Sequence, residues 1–244
     1  MKLWNLIMRQ REYEGQLLQG RPIKIDFFQV VPLTLKQLFD YGEEECHKLL
    51  SYFFFDIDDL ELGDRKEFQD ISKFIIFSLV LNQEKNFQSE ILKGLNLFTD
   101  VKFEFKDGAF LYKDKYIINE ERWEKLKHVL SWQYKLKYNP KSLKYNPKNK
   151  RAREMEKKIE ATRKEVQKIK SKKKDDVALT DLISGLCARH PTINLFNVWD
   201  LTYYQFIDQL QRLQIVDEYD FSLKSILAGA DAKKINVKHW TIKL

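Results

Sequence analysis

The hydrophobic pattern changes period several times along the chain, and each change predicts an element. Residues 23–31 (IKIDFFQVV) are β-branched and aromatic and stop at Pro32, which predicts a strand. Thr34 then stands where it can cap a helix carrying Leu35, Leu38 and Phe39, continuing to Leu49 and Leu50, with Gly42 set to break or bend it. Residues 56–64 form an acidic loop. Helical spacing returns over 66–81, where Phe68, Ile71, Ile75 and Leu79 share a broad apolar face, and a short helix is expected over 86–96. From 101 to 118 the period becomes two. Val101, Phe103 and Phe105 alternate with polar positions, Asp107-Gly108 supplies a tight turn, Phe110 and Tyr112 alternate on the return, and Tyr116 with Ile118 offers a third strand. Asn119, followed by Glu120 and Glu121, predicts the start of a helix through Trp123, Leu126, Val129 and Leu130 to about Leu136.

The next stretch has a different character. LKYNPK occurs at 136–141 and again at 143–148, and two Asn-Pro pairs interrupt any helix there. Two copies are too few for a solenoid, so the reading is a duplicated linker. Residues 151–170 follow with Ala152, Met155, Ile159, Thr162, Val166 and Ile169 at steps of three and four. That spacing predicts a helix with one narrow apolar seam on an otherwise charged surface, a docking or coiled-coil element. The last part, 175–244, reads as a helical unit. Thr180 opens a helix through Leu182, Ile183 and Leu186, and Pro191 closes that region. Asp200 or Thr202 caps a helix bearing Tyr203, Phe206, Ile207, Leu210 and Leu213. A separate helix carries Tyr219, Leu223, Ile226 and Leu227 up to Gly229, and an extended tail ends the chain.

These elements imply an α+β fold, mainly α-helical. The expected organisation is an N-terminal α+β domain with a small antiparallel sheet at 1–133, a basic linker and charged helix at 134–174, and a C-terminal helical unit at 175–244. Composition agrees: aromatics make up 14% of 244 residues, with 17 Phe and 11 Tyr to fill a core, while only 8 Gly and 5 Pro serve turns. The net charge of +7 is concentrated. Residues 135–174 hold 17 Lys or Arg and 4 Glu, a local net of +13, which leaves the remainder at −6. Lys148, Lys150, Arg151, Arg153, Lys172, Lys173 and Lys174 are therefore candidates for contact with phosphates or an acidic partner, with Tyr134, Tyr138 and Tyr145 interleaved as stacking groups. No DNA- or RNA-reading motif accompanies them, so a solvated linker is the simpler account and nucleic acid is an alternative partner.

Candidate chemistry is sparse. Glycine-rich phosphate loops of the GxGxxG or GxxxxGK[ST] type do not occur. The acidic run Asp56, Asp58, Asp59, Glu61, Asp64 has Glu where a calcium loop needs Gly. Cys46-His47 and Cys187/His190 give no set of four zinc ligands, and the two cysteines suggest a reducing compartment. The expectation is a non-enzyme without cofactor or metal. The N-terminus lacks a signal-peptide pattern, and the longest apolar run, Phe74 to Leu81, is too short to span a membrane, so no membrane partner is expected.

Three segments together resemble the tail assembly chaperones of tailed bacteriophages and prophages of Gram-positive bacteria. They are PLTLKQLFDYGEEECHKLLSYFFF at 32–55, YNPKNKRAREMEKKIEATRKEV at 145–166 and INLFNVWDLTYYQFIDQLQRLQIVDEYDFSLKSILAGADAKKINVKHW at 193–240, the last being the most specific. The resemblance implies a helper of tail morphogenesis in the host cytoplasm. It would bind the aggregation-prone tape-measure protein, and tail-tube subunits with it, without catalysis. Reversible cover of a helix needs anchors at i, i+3, i+4 and i+7. Met155, Ile159, Val166 and Ile169, and the aromatic stripe Trp199, Tyr203, Tyr204 and Phe206, are the candidate protein-binding residues, for a client or for self-association.

Overall fold

The computed structural model describes residues 13–54, 73–136 and 177–242. They form an α+β fold, mainly helical, with two small antiparallel sheets. The acidic loop 56–64, the LKYNPK repeat and the 151–170 seam lie outside the described residues.

The segment expected to be one strand is a hairpin. β1 (Ile23–Ile25) pairs with β2 (Phe28–Val30), Ile23 opposite Val30 and Ile25 opposite Phe28. Asp26 turns the chain with a φ of 55°, a left-handed conformation that Asp tolerates better than most residues. All four apolar residues of the pair are buried and the residue between them on each strand is exposed. Arg122 holds the turn from the far side. Its Nε and Nη2 donate to Asp26 Oδ2, its Nη1 donates to the Ile117 carbonyl at 2.7 Å, and its guanidinium lies over the Phe27 ring.

α1 (Leu35–Tyr41) starts at Thr34 as the sequence predicts. The Thr34 hydroxyl accepts from Gln37 N–H, and the Gln37 side chain accepts from Thr34 N–H, a reciprocal capping box. Gly42, at φ 108°, separates α1 from α2 (Glu43–Phe53). α3 (Lys73–Gln83) and α4 (Lys85–Phe98) follow, longer at their C-terminal ends than expected. α4 packs against α2 so closely that a Cβ on Gly94 would come within 2.6 Å of the Phe53 ring. The end of α4 is stitched to the hairpin: Val31 N–H donates to Phe98 O, Asp100 N–H to Gln29 O, and Gln29 N–H to Asp100 Oδ1.

The second sheet has three strands in sequence order, β3 (Glu104–Lys106), β4 (Ala109–Tyr112) and β5 (Tyr116–Ile117). Asp107 and Gly108 turn β3 into β4 with φ values of 50° and 80°, the paired positive angles of a type I′ turn. α5 (Glu120–Gln133) begins at Asn119, whose side chain accepts from Arg122 N–H. Trp123 on α5 is the hub of an aromatic core. Its ring lies 5.3 Å from Phe53, 5.0 Å from Phe77 and 6.2 Å from Phe110, with Phe74 on the rim.

α6 (Leu179–Arg189), a 3-10 turn (Val198–Asp200) and α7 (Tyr203–Leu227) complete the described chain. The two helices expected between 203 and 227 are one continuous helix of 25 residues. Nothing between Leu213 and Tyr219 breaks it, because Gln214 to Glu218 contain neither Gly nor Pro.

Candidate docking surface on the C-terminal helix

The start of α7 is fixed to the N-terminal half by a local two-fold arrangement. Leu201-Thr202-Tyr203 runs antiparallel to Leu33-Thr34-Leu35. Leu35 N–H donates to Leu201 O at 2.8 Å and Tyr203 N–H donates to Leu33 O at 3.4 Å. Thr202 and Gln205 form the same capping box that Thr34 and Gln37 form. The two segments share a Leu-Thr-x-x-Gln pattern, LTLKQ at 33–37 and LTYYQ at 201–205. Gln205 Nε2 also donates to Leu18 O. Two helices thus leave one short antiparallel bridge, and the first turns of α7 are carried into the core.

That placement decides the fate of the predicted aromatic stripe. Phe206 is fully buried and Tyr204 nearly so. Lys135 Nζ sits 4.3 Å above the Tyr204 ring, and burial pushes the Tyr204 phenol up to about 12. Tyr203 is half-buried against Tyr134. Trp199 is half-buried against Phe39 and its indole N–H donates to Leu195 O. These four side chains anchor α7 to the body. Met155, Ile159, Val166 and Ile169, and the basic candidates Lys148, Lys150, Arg151, Arg153, Lys172, Lys173 and Lys174, lie outside the described residues.

The far half of α7 behaves differently. At 1.5 Å per residue the helix is about 37 Å long, and from Gln214 onward none of its residues is buried. Phe221 is 73% exposed and Leu227 87%, with Val216 and Leu223 exposed as well. The loop between α6 and the 3-10 turn adds Leu195 and Phe196, the latter 94% exposed. Among the described residues sixteen large apolar side chains are exposed, and eight of these lie between Leu195 and Trp240. Apolar residues scattered singly need no explanation, but half of those exposed falling within one C-terminal stretch, four of them on α7, points to a partner. The sequence pattern marked Leu223 and Leu227 as helical positions without marking their exposure, and it gave no sign of Phe196 or Phe221. The available signal was length: a 25-residue helix outruns the body it starts on.

Two contacts brace this half. Arg189 at the end of α6 pairs with Asp217 at 2.6 Å. The tail after Gly229 returns along the helix, where Arg212 Nη1 donates to Ile242 O and the His239 ring meets Tyr219 edge-on. An open polar cleft lies between helix and tail, lined by Glu218, Tyr219, Ser222, Asn236 and Lys238.

Residues 170–244 match the family model described as the YomV second domain. YomV is a Bacillus prophage protein, so the C-terminal third resembles a phage-derived domain family. The matched stretch contains α6, α7, the exposed loop and the tail. No curated protein and no solved structure matches the chain.

The groups weighed for metal or nucleophilic chemistry are used locally. His190 Nδ1 accepts from the Thr192 and Ile193 amides just past α6, and the His128 ring packs beside Trp132, where burial lowers its pKa. Among the described residues no group of three or more His, Cys, Asp or Glu could hold a metal ion, and no helix is long and apolar enough to cross a membrane. Cys46 and Cys187 are free thiols. Burial, with a smaller push from Glu45, raises the Cys46 thiol from its ordinary 9.0 to about 11. Below pH 9 the thiol is neutral whether folded or unfolded. Between about 9 and 11 only the unfolded chain ionises it, so this residue's contribution to stability falls as pH rises through that window. A thiol reagent at pH 8 is expected to modify Cys187 in the folded protein and Cys46 only after denaturant is added. Equal rates for both thiols would contradict the burial of Cys46.

Proposed function

We propose that the chain is a non-catalytic assembly chaperone of tailed phages. It shields amphipathic helices of a tape-measure protein, with tail-tube subunits as a second client, during tail morphogenesis in the host cytoplasm. The observation that carries this reading is the exposed apolar surface on the projecting half of α7 and the 195–196 loop, within the stretch that matches a phage-derived domain family. A long helical client presents apolar stripes that aggregate when bare. Phe196, Phe221 and their neighbours offer apolar area that can cover such a stripe and release it without nucleotide-driven work.

The test is co-expression with the tape-measure protein of a phage or prophage that encodes this chain. The expected result is a larger soluble client fraction and a complex that survives 0.5 M salt, because apolar contact is insensitive to ionic strength. Retention of nucleic acid that collapses with salt, without any effect on the client, would favour the phosphate-binding alternative and overturn the chaperone reading.

A further inference from the structure

The end of α5 places a lysine where glycine is the usual residue. Tyr134 caps the helix, and the next two residues close it with a Schellman pair: Lys135 N–H donates to Trp132 O at 3.2 Å and Leu136 N–H donates to Ser131 O at 2.8 Å. That motif needs a left-handed residue after the cap, and Lys135 supplies it with a φ of 50°. Glycine is favoured there because a Cβ is crowded by the neighbouring backbone. Five non-glycine residues among those described have a positive φ. Three are Asp, which tolerates the conformation, and Lys113 lies in the turn between β4 and β5. Lys135 is the one at the end of a helix.

The side chain accounts for the choice. Lys135 Nζ lies 4.3 Å from the centre of the Tyr204 ring, on the first turn of α7, and that ring is almost fully buried. Asp208, one turn further along the same face, is buried as well. Arg212, another turn on, donates to the Trp240 and Ile242 carbonyls of the tail. Glu14 comes from the helical segment 13–18, whose Leu18 O accepts from Gln205 Nε2. Burial lowers the pKa of the Lys135 ammonium, Asp208 and Glu14 oppose that, and Arg212 adds to it. A lysine at a helix end ordinarily extends its ammonium into water. This one is half-buried and turned onto an aromatic face, whose quadrupole attracts a cation.

We propose that Lys135 is a positioning residue for the C-terminal unit: its ammonium, seated on the Tyr204 ring, latches the first turns of α7 to the end of α5. The strained backbone at residue 135 is kept because glycine would fit the turn but carry no latch. The bridge between Leu33–Leu35 and Leu201–Tyr203 fixes where α7 starts. Lys135 adds a contact from a different element, about 100° round the helix from Tyr203. It thereby limits the swing of α7 about that bridge and sets the direction in which residues 214–227 project. The latch is independent of what docks on that half of the helix, and its test contains no client.

Three substitutions in the full chain separate the side chain from the backbone. Lys135→Met keeps a long apolar stem and the same backbone demand but removes the charge. Lys135→Arg keeps the charge, and a guanidinium also stacks on aromatic faces. Lys135→Gly removes the side chain and relaxes the backbone. Hydrogen exchange is read at the amides of residues 206–210 in α7 and, for reference, of residues 46–52 in α2. In the Met and Gly variants the α7 amides are expected to exchange about tenfold faster than in the parent chain, a shift within reach of a partly desolvated cation–π contact. The α2 amides should be unchanged, and the Arg variant should stay within about twofold of the parent at both sets. A lysine that served only as a cap would give Lys135→Gly the opposite sign, with slower exchange and a higher urea midpoint, because strain is relieved. That result, parental exchange in the Met variant, an Arg variant that behaves like Met, or equal acceleration at both sets of amides would each overturn the latch.

Discussion

Replacing Trp123 with alanine is expected to lower the free energy of unfolding by about 3–5 kcal/mol. The indole is 4% exposed and meets Phe53, Phe77, Phe74 and Phe110, side chains contributed by α2, α3 and β4. Removing it opens a void bordered by aromatic rings from three elements that cannot all relax inward. A domain is commonly stable by only about 5–15 kcal/mol, so the variant should sit close to its unfolding threshold. Urea titration followed by circular dichroism measures this as a lower midpoint with an unchanged slope. Trp240→Ala is the control, because that ring is about half exposed and its loss should change stability by about 0.5 kcal/mol or less. Equal midpoints for the two variants would show that Trp123 is not the centre of the core.

The residues that could be read in advance are those whose structure is set by their neighbours in sequence. Thr34, Gly42, Asn119 and the Asp107-Gly108 turn occupy the roles their chemistry predicts, since a cap or a type I′ turn is decided within four residues. The 23–31 segment was not legible as a hairpin because Asp26-Phe27 is a rare turn pair, and nothing local separates it from a continuous apolar strand. Periodicity alone did not reveal that residues 203–227 are one helix, nor that its two halves have opposite environments. Tyr204 and Phe206 are buried where Leu33–Leu35, more than 160 positions earlier, bridges to Leu201–Tyr203 and Lys135 covers the Tyr204 ring. The twin Leu-Thr-x-x-Gln pattern was visible in the sequence, but its significance lies in a tertiary contact. The surface was harder still: an exposed Phe221 and a buried Phe206 have the same helical spacing, and only the edge of the body separates them.

That edge makes Phe196 and Phe221 the residues with the greatest leverage on client binding. Both side chains are largely solvated, so Phe196→Glu combined with Phe221→Glu removes almost no internal packing. The unfolding midpoint should stay within about 0.5 kcal/mol of the parent. The effect on the proposed client is expected to be large. Each Phe contributes about 1.5–3 kcal/mol when buried at an interface. Losing both, and gaining two carboxylates that must be desolvated, should weaken the complex by about 100-fold or more. The measurement is the dissociation constant for a labelled tape-measure fragment, read alongside the soluble fraction of the full-length client on co-expression. A double variant that folds normally and still protects its client would show that the apolar surface of the C-terminal unit has another purpose.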